Sequence, residues 1–74
     1  MAVRELDCLY EPCPIPLIKA VKELKTMKCG DILILHSDQS CIGVIAEEWG
    51  EQNNYLVRTV DLENGEWEVY IQKP

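Results

Sequence analysis

The stretch Pro12-Cys13-Pro14-Ile15-Pro16-Leu17-Ile18-Lys19-Ala20-Val21-Lys22-Glu23-Leu24 decides how the chain folds. Its apolar residues Leu17, Ile18, Ala20, Val21 and Leu24, continued by Met27, recur at steps of three and four, which predicts an amphipathic helix from 14 to about 28. Pro14 suits the first helical position, where a fixed φ and a missing N–H cost nothing, and Pro16 falls in the first turn. Cys13 therefore stands at or beside the N-cap. Unpaired amides and the positive end of the helix dipole favour thiolate there, and can lower a cysteine pKa from ~8.5 into the range ~3.5–7.5. A persulfide anion is held by the same field. The plainer reading of Cys13 is a small core residue that happens to precede a helix.

Outward from this helix, residues 3–9 are short and partly alternating and stop at Tyr10-Glu11-Pro12, which predicts a first strand and a tight loop. Cys29-Gly30-Asp31 ends the helix, with Gly30 suited to a left-handed cap. The continuous apolar run 32–35 predicts a central strand buried on both faces or nearly so. Asp38 is placed to cap a second helix by accepting from the Cys41 amide, with Ile42, Val44, Ile45 and Trp49 as its apolar residues up to about Glu51 and Gly43 weakening it. Asn53-Asn54 turns the chain into a third strand over 55–62, and Asn64-Gly65 signals a two-residue hairpin into a last strand from Trp67. The order βαβαββ predicts an α/β two-layer sandwich, a four-stranded mixed sheet with two helices on one face, formed by residues 1–74 as one domain.

Seventy-four residues allow one small core. Apolar residues are 47% of the chain, without a run near the ~20 that cross a bilayer. The charged N-terminal residues Arg4, Glu5 and Asp7 stand where a secretory signal needs an apolar region, so the expected location is the cytoplasm. Thirteen acidic residues against seven basic ones give a net charge of −6, which repels phosphate backbones and argues against nucleic acid as a partner. Lys19, Lys22, Lys25 and Lys28 nevertheless form a locally basic stripe. Lys19 and Lys22 are candidates for docking a partner or drawing in an anion, against the plainer reading of a solvated helix face.

Cys8, Cys13, Cys29 and Cys41 are separated by five, sixteen and twelve residues, with no Cys-x-x-Cys and a single His36. Free thiols and no metal site are expected. Cys41 falls in the first turn of the second helix, and helices that follow parallel strands start from the same sheet edge, so it is a candidate second thiol, able to relay or resolve sulfur near Cys13. Its plainer reading is a half-buried helix residue. Cys8 ends a strand, where core packing is the simpler account.

The Cys13-Pro14-Ile15-Pro16 motif, Leu6-Asp7, Gly30-Asp31, the Asp38 cap position and the closing Ile71-Gln72-Lys73 resemble the TusA/SirA/YeeD-like sulfur carrier family over the whole chain. The resemblance implies this strand and helix order and gives Cys13 the role of accepting sulfur as a persulfide and delivering it to a partner. That would be a sulfurtransferase acting as a stoichiometric relay, without a cofactor beyond the transient persulfide. It implies as donor a cysteine desulfurase, a rhodanese-type protein or thiosulfate, and as acceptor a protein with a reactive cysteine. The stretch from Cys13 to Ala20 is similar to the YeeD branch, which works beside a membrane thiosulfate importer. Leu9-Tyr10-Glu11-Pro12 departs from the Arg/Lys-Gly-Leu approach of many members, so the partner-facing loop differs. Two readings from other classes compete: a non-catalytic interaction module in which the motif is only a helix cap, and a thiol switch pairing Cys13 with Cys41 or Cys8, which requires Cα atoms within ~7 Å.

Overall fold

The structure, a computed structural model, describes residues 2–74; Met1, the first residue of the expected domain, lies outside them. Six elements follow in the order β1 (Val3–Asp7), α1 (Ile15–Leu24), β2 (Ile32–Ser37), α2 (Cys41–Asn53), β3 (Leu56–Asp61) and β4 (Trp67–Gln72). The sheet order is β1-β2-β4-β3, with β1 parallel to β2 and the other pairs antiparallel. This is the βαβαββ sandwich with a mixed sheet and both helices on one face.

The register explains why the helices share a face. Leu33 and Leu35 pair with Ile71 and Val69, and Val57 also pairs with Ile71, so these side chains project to one side. There they meet Ala20 and Leu24 of α1 and Ile42 and Ala46 of α2 in a single buried cluster. β2 is central, but it is not buried on both faces as the run 32–35 suggests. Leu33, Leu35 and Ser37 are buried while Ile32, Ile34 and His36 are half-buried, because no helix covers the far side of the sheet.

Several local expectations are corrected. α1 stops at Leu24, not near 28: the Lys25 amide is shared between the carbonyls of Val21 and Glu23, and the Thr26 amide and hydroxyl both donate to the Glu23 carbonyl. The chain tightens into a turn, yet Met27 stays buried and so prolongs the apolar period past the helix. The Leu24 carbonyl accepts twice, from the Met27 amide at 3.1 Å and from Lys73 Nζ at 2.7 Å. Gly30 has φ +88°, as expected, but in the loop before β2, where its amide donates to the Lys73 carbonyl. Asp31 then accepts from the amides of Ala2 and Lys28. The hairpin is not a two-residue turn. Leu62 N donates to the Glu66 carbonyl, and Glu63 and Gly65 both take positive φ between them. α2 runs on to Asn53 and closes with Asn54 in the left-handed region, its successor Tyr55 donating back to the Gly50 carbonyl.

Candidate functional site

Cys13 and Cys41 are joined in a disulfide, with Cα atoms 6.9 Å apart across 28 residues of sequence. The expectation of four free thiols is thereby corrected: Cys8 and Cys29 are free, and the other two are bonded to each other. The topology brings the pair together. β1 and β2 run parallel, so the segments leaving their C-terminal ends start from the same edge of the sheet, one leading to α1 and the other to α2.

A side chain fixes this meeting. Asp38 does not cap α2; the N-cap is Ser40, without a side-chain cap bond. Asp38 Oδ1 instead accepts from the Tyr10 amide at 3.0 Å, tying the loop before Cys13 to the loop before Cys41. Tyr10 takes φ +68° and is 85% exposed. This link escapes sequence reasoning because Asp38 fits a helix cap equally well, and only the packed sheet places Tyr10 within its reach.

The start of α1 also differs from expectation. Pro14 is the N-cap rather than the first helical residue, with a cis Cys13–Pro14 peptide, and Ile15 and Pro16 begin the helix. Two of these residues lack an N–H, and the Ile15 amide donates to the Pro12 carbonyl, which leaves the Leu17 amide for the helix end. Cys13 itself is half-buried against the edge of the core. Cys41 is the first residue of α2 and is exposed, in a turn free of both prolines and acidic residues. The helix-terminus environment expected for Cys13 is therefore richer around Cys41.

Lys19 donates to Glu11 Oε2 at 2.8 Å and lies 2.7 Å from Oε1, so its charge is matched by a loop carboxylate. That hydrogen bond raises the Lys19 pKa and keeps the lysine protonated. Lys22 is exposed and lines, with Leu17, Ile18, Val21, Lys25 and Trp49, a groove between the helices. Cys8 is fully buried, and burial first, then the Glu11 carboxylate, pushes its thiol pKa up, away from nucleophilic use. His36 lies on the open face of the sheet, 2.9 Å from Glu5 and 3.6 Å from Glu68, on the side opposite the helices. Arg58 stands on that same open face. Among the described residues no three His, Cys, Asp or Glu come together as a metal site.

The fold and the paired cysteines define a small α/β sandwich with two bonded sulfurs at one sheet edge. Comparison with known proteins gives this class its family. The family model for sulfurtransferase TusA matches residues 4–73. The chain is 26% identical to TsuB of Escherichia coli (strain K12), which is named for sulfur carriage, over 99% of both chains. It is similar to the crystal structure of a SirA-like protein from Desulfitobacterium hafniense, with TM-score 0.83 and 27% identity, covering 93% of this chain and 95% of that one. The chain belongs to the TusA/SirA-like family of sulfur carriers.

Proposed function

We propose that the protein takes up a sulfane sulfur as a persulfide on Cys13 and passes it to a cysteine of an acceptor protein. The observation that carries this reading is Cys13 in the Cys-Pro-Ile-Pro turn at the mouth of α1, bonded to a second sulfur at the surface edge of the sheet. The Cys13 thiolate attacks the outer sulfur of a protein persulfide, held by a cysteine desulfurase or rhodanese-type donor, or the sulfane sulfur of thiosulfate with sulfite leaving. The acceptor thiolate then attacks the outer sulfur and Cys13 leaves as thiolate. No general base is required where the thiolate already exists near neutral pH.

The cytoplasm fits this chemistry, since a disulfide there is transient rather than structural and Cys13 is returned to the thiol. No helix among the described residues is long and apolar enough to cross a membrane. The groove bearing Leu17, Ile18, Lys22 and Trp49 supports a protein partner with apolar and acidic side chains.

Intact mass of the reduced protein, measured after incubation with thiosulfate and separately with a cysteine desulfurase plus cysteine, tests the reading. The expected result is a gain of one sulfur, mapped to Cys13 and absent in Cys13→Ser, which remains folded. A Cys13→Ser chain that still loads sulfur from either donor would falsify it.

A further inference from the structure

We propose that Cys41 is a resolving thiol: it attacks Sγ of a sulfur-loaded Cys13, expels the outer sulfur as hydrosulfide and leaves the Cys13–Cys41 disulfide. The chain then reduces its carried sulfur to free sulfide when no acceptor takes it. This inference rests on the Cys13 persulfide reading.

The geometry selects the inner sulfur. Cys41 Sγ reaches Cys13 Sγ directly with Cα atoms 6.9 Å apart, so attack there ends in the arrangement seen, with the Tyr10–Asp38 bond holding the two loops. Attack at the outer sulfur would have to span one further S–S bond of ~2.05 Å. The roles of the two cysteines follow from their surroundings. Cys41 is exposed at the first position of the thirteen-residue α2, where free amides and the helix dipole favour a negative sulfur. Cys13 is half-buried against the core and less open to solvent than Cys41. An intramolecular nucleophile acts at high effective concentration, so an unloaded acceptor must compete with it.

The step balances. A Cys13 persulfide in its protonated form and a Cys41 thiolate give the disulfide and hydrosulfide; a persulfide anion takes its proton from the Cys41 thiol. The bond between Cys13 Sγ and the outer sulfur breaks, and the Cys13–Cys41 bond forms. The outer sulfur leaves with the bonding pair and is reduced to the sulfide level, while the Cys41 sulfur is oxidised from thiolate to disulfide and the Cys13 sulfur keeps its oxidation state. A dithiol reductant of the thioredoxin class resets the pair by attacking the exposed Cys41 sulfur, releasing Cys13 as thiolate and leaving as its own disulfide. With thiosulfate as donor the full cycle consumes one thiosulfate and one dithiol, and yields sulfite, hydrosulfide, the oxidised reductant and a proton.

The test uses the full chain with Cys29→Ser, so that the exposed free thiol takes no part, reduced and desalted under nitrogen so that oxygen cannot form the disulfide. Protein with Cys41 intact, Cys41→Ser and Cys41→Ala are each given thiosulfate without further reductant, and sulfide, sulfite and intact mass are followed. With Cys41 intact, about one sulfide per chain is expected together with loss of two hydrogens, while both Cys41 variants hold the added sulfur and release sulfide at least about tenfold more slowly. Equal sulfide release by the variants overturns the proposal, as does added sulfur that stays on Cys13 or is found on Cys41 in the chain that retains it. If the folded Cys41 variants gain sulfur neither from thiosulfate nor from a cysteine desulfurase with cysteine, the persulfide reading itself fails and this proposal falls with it.

Discussion

Asp31 shows how one carboxylate can hold a junction of the fold. It is 8% exposed, accepts from the Ala2 and Lys28 amides at 3.0 Å each, and precedes β2. These two hydrogen bonds, first Ala2 and then Lys28, lower its pKa below the ordinary carboxylate value. A depressed folded-state pKa contributes stability that is present above the unfolded-state value and is lost as pH falls through the folded one. Asp31→Asn is therefore expected to destabilise the chain at neutral pH, and the gap to the parent should close as pH drops below the usual carboxylate range. Denaturant melts at pH 7 and pH 3 check this; a gap of constant size would show that the ionised form is not what the amides stabilise.

At the scale of elements, α2 lies close against β3, and glycines permit the approach. A Cβ on Gly43 would meet Thr59 Cγ2 at 2.8 Å, and one on Gly50 would overlap Val57 Cγ2 and come within 3.1 Å of the Tyr55 carbonyl oxygen. Gly43, which weakens the helix by propensity alone, is thus explained by packing. Gly50 is the more constrained of the two, because Val57 is buried and the Tyr55 carbonyl is backbone. Gly50→Ala is expected to cost about 1–3 kcal/mol by overpacking, more than the ~1 kcal/mol it gains in helix propensity. A melting temperature at or above that of the parent would show that α2 can lift from the sheet without cost. The element ends also show where periodicity misleads. Met27 continues the apolar repeat of α1 although the helix has ended, since a side chain can reach the core from a turn as well as from a helix.

On the whole molecule, charge is distributed so that a chain of net charge −6 carries lysines along one helix. Lys19 is matched by Glu11, whereas Lys22, exposed on the groove between α1 and α2, has no ion pair among the described residues. Charge reversal at both is expected to slow sulfur exchange with a protein partner in low salt, with Lys22→Glu alone producing most of the effect. Stability should change by less than about 1 kcal/mol, as for other exposed charges. Stopped-flow transfer rates at two salt concentrations check this, and rates indifferent to both changes would return the stripe to a merely solvated face.

The sequence by itself determined the order of elements, the one-sided pattern of the helices and the position of Cys13 at a helix mouth. Each of these is written in local spacing: Leu17 to Leu24 at helical steps, Pro14 and Pro16 beside the thiol, and the apolar residues of β2 and β4. Local spacing could not show that the run 32–35 is covered on one side only, because that depends on which sheet face the helices occupy. Nor could it show that Asp38 binds Tyr10, 28 positions away, instead of capping α2. The bond between Cys13 and Cys41 belongs to the same class. Parallel pairing of β1 and β2 brings their following loops to one edge, and whether two sulfurs at that edge touch is set by ångström-scale packing that no pattern of residue types encodes.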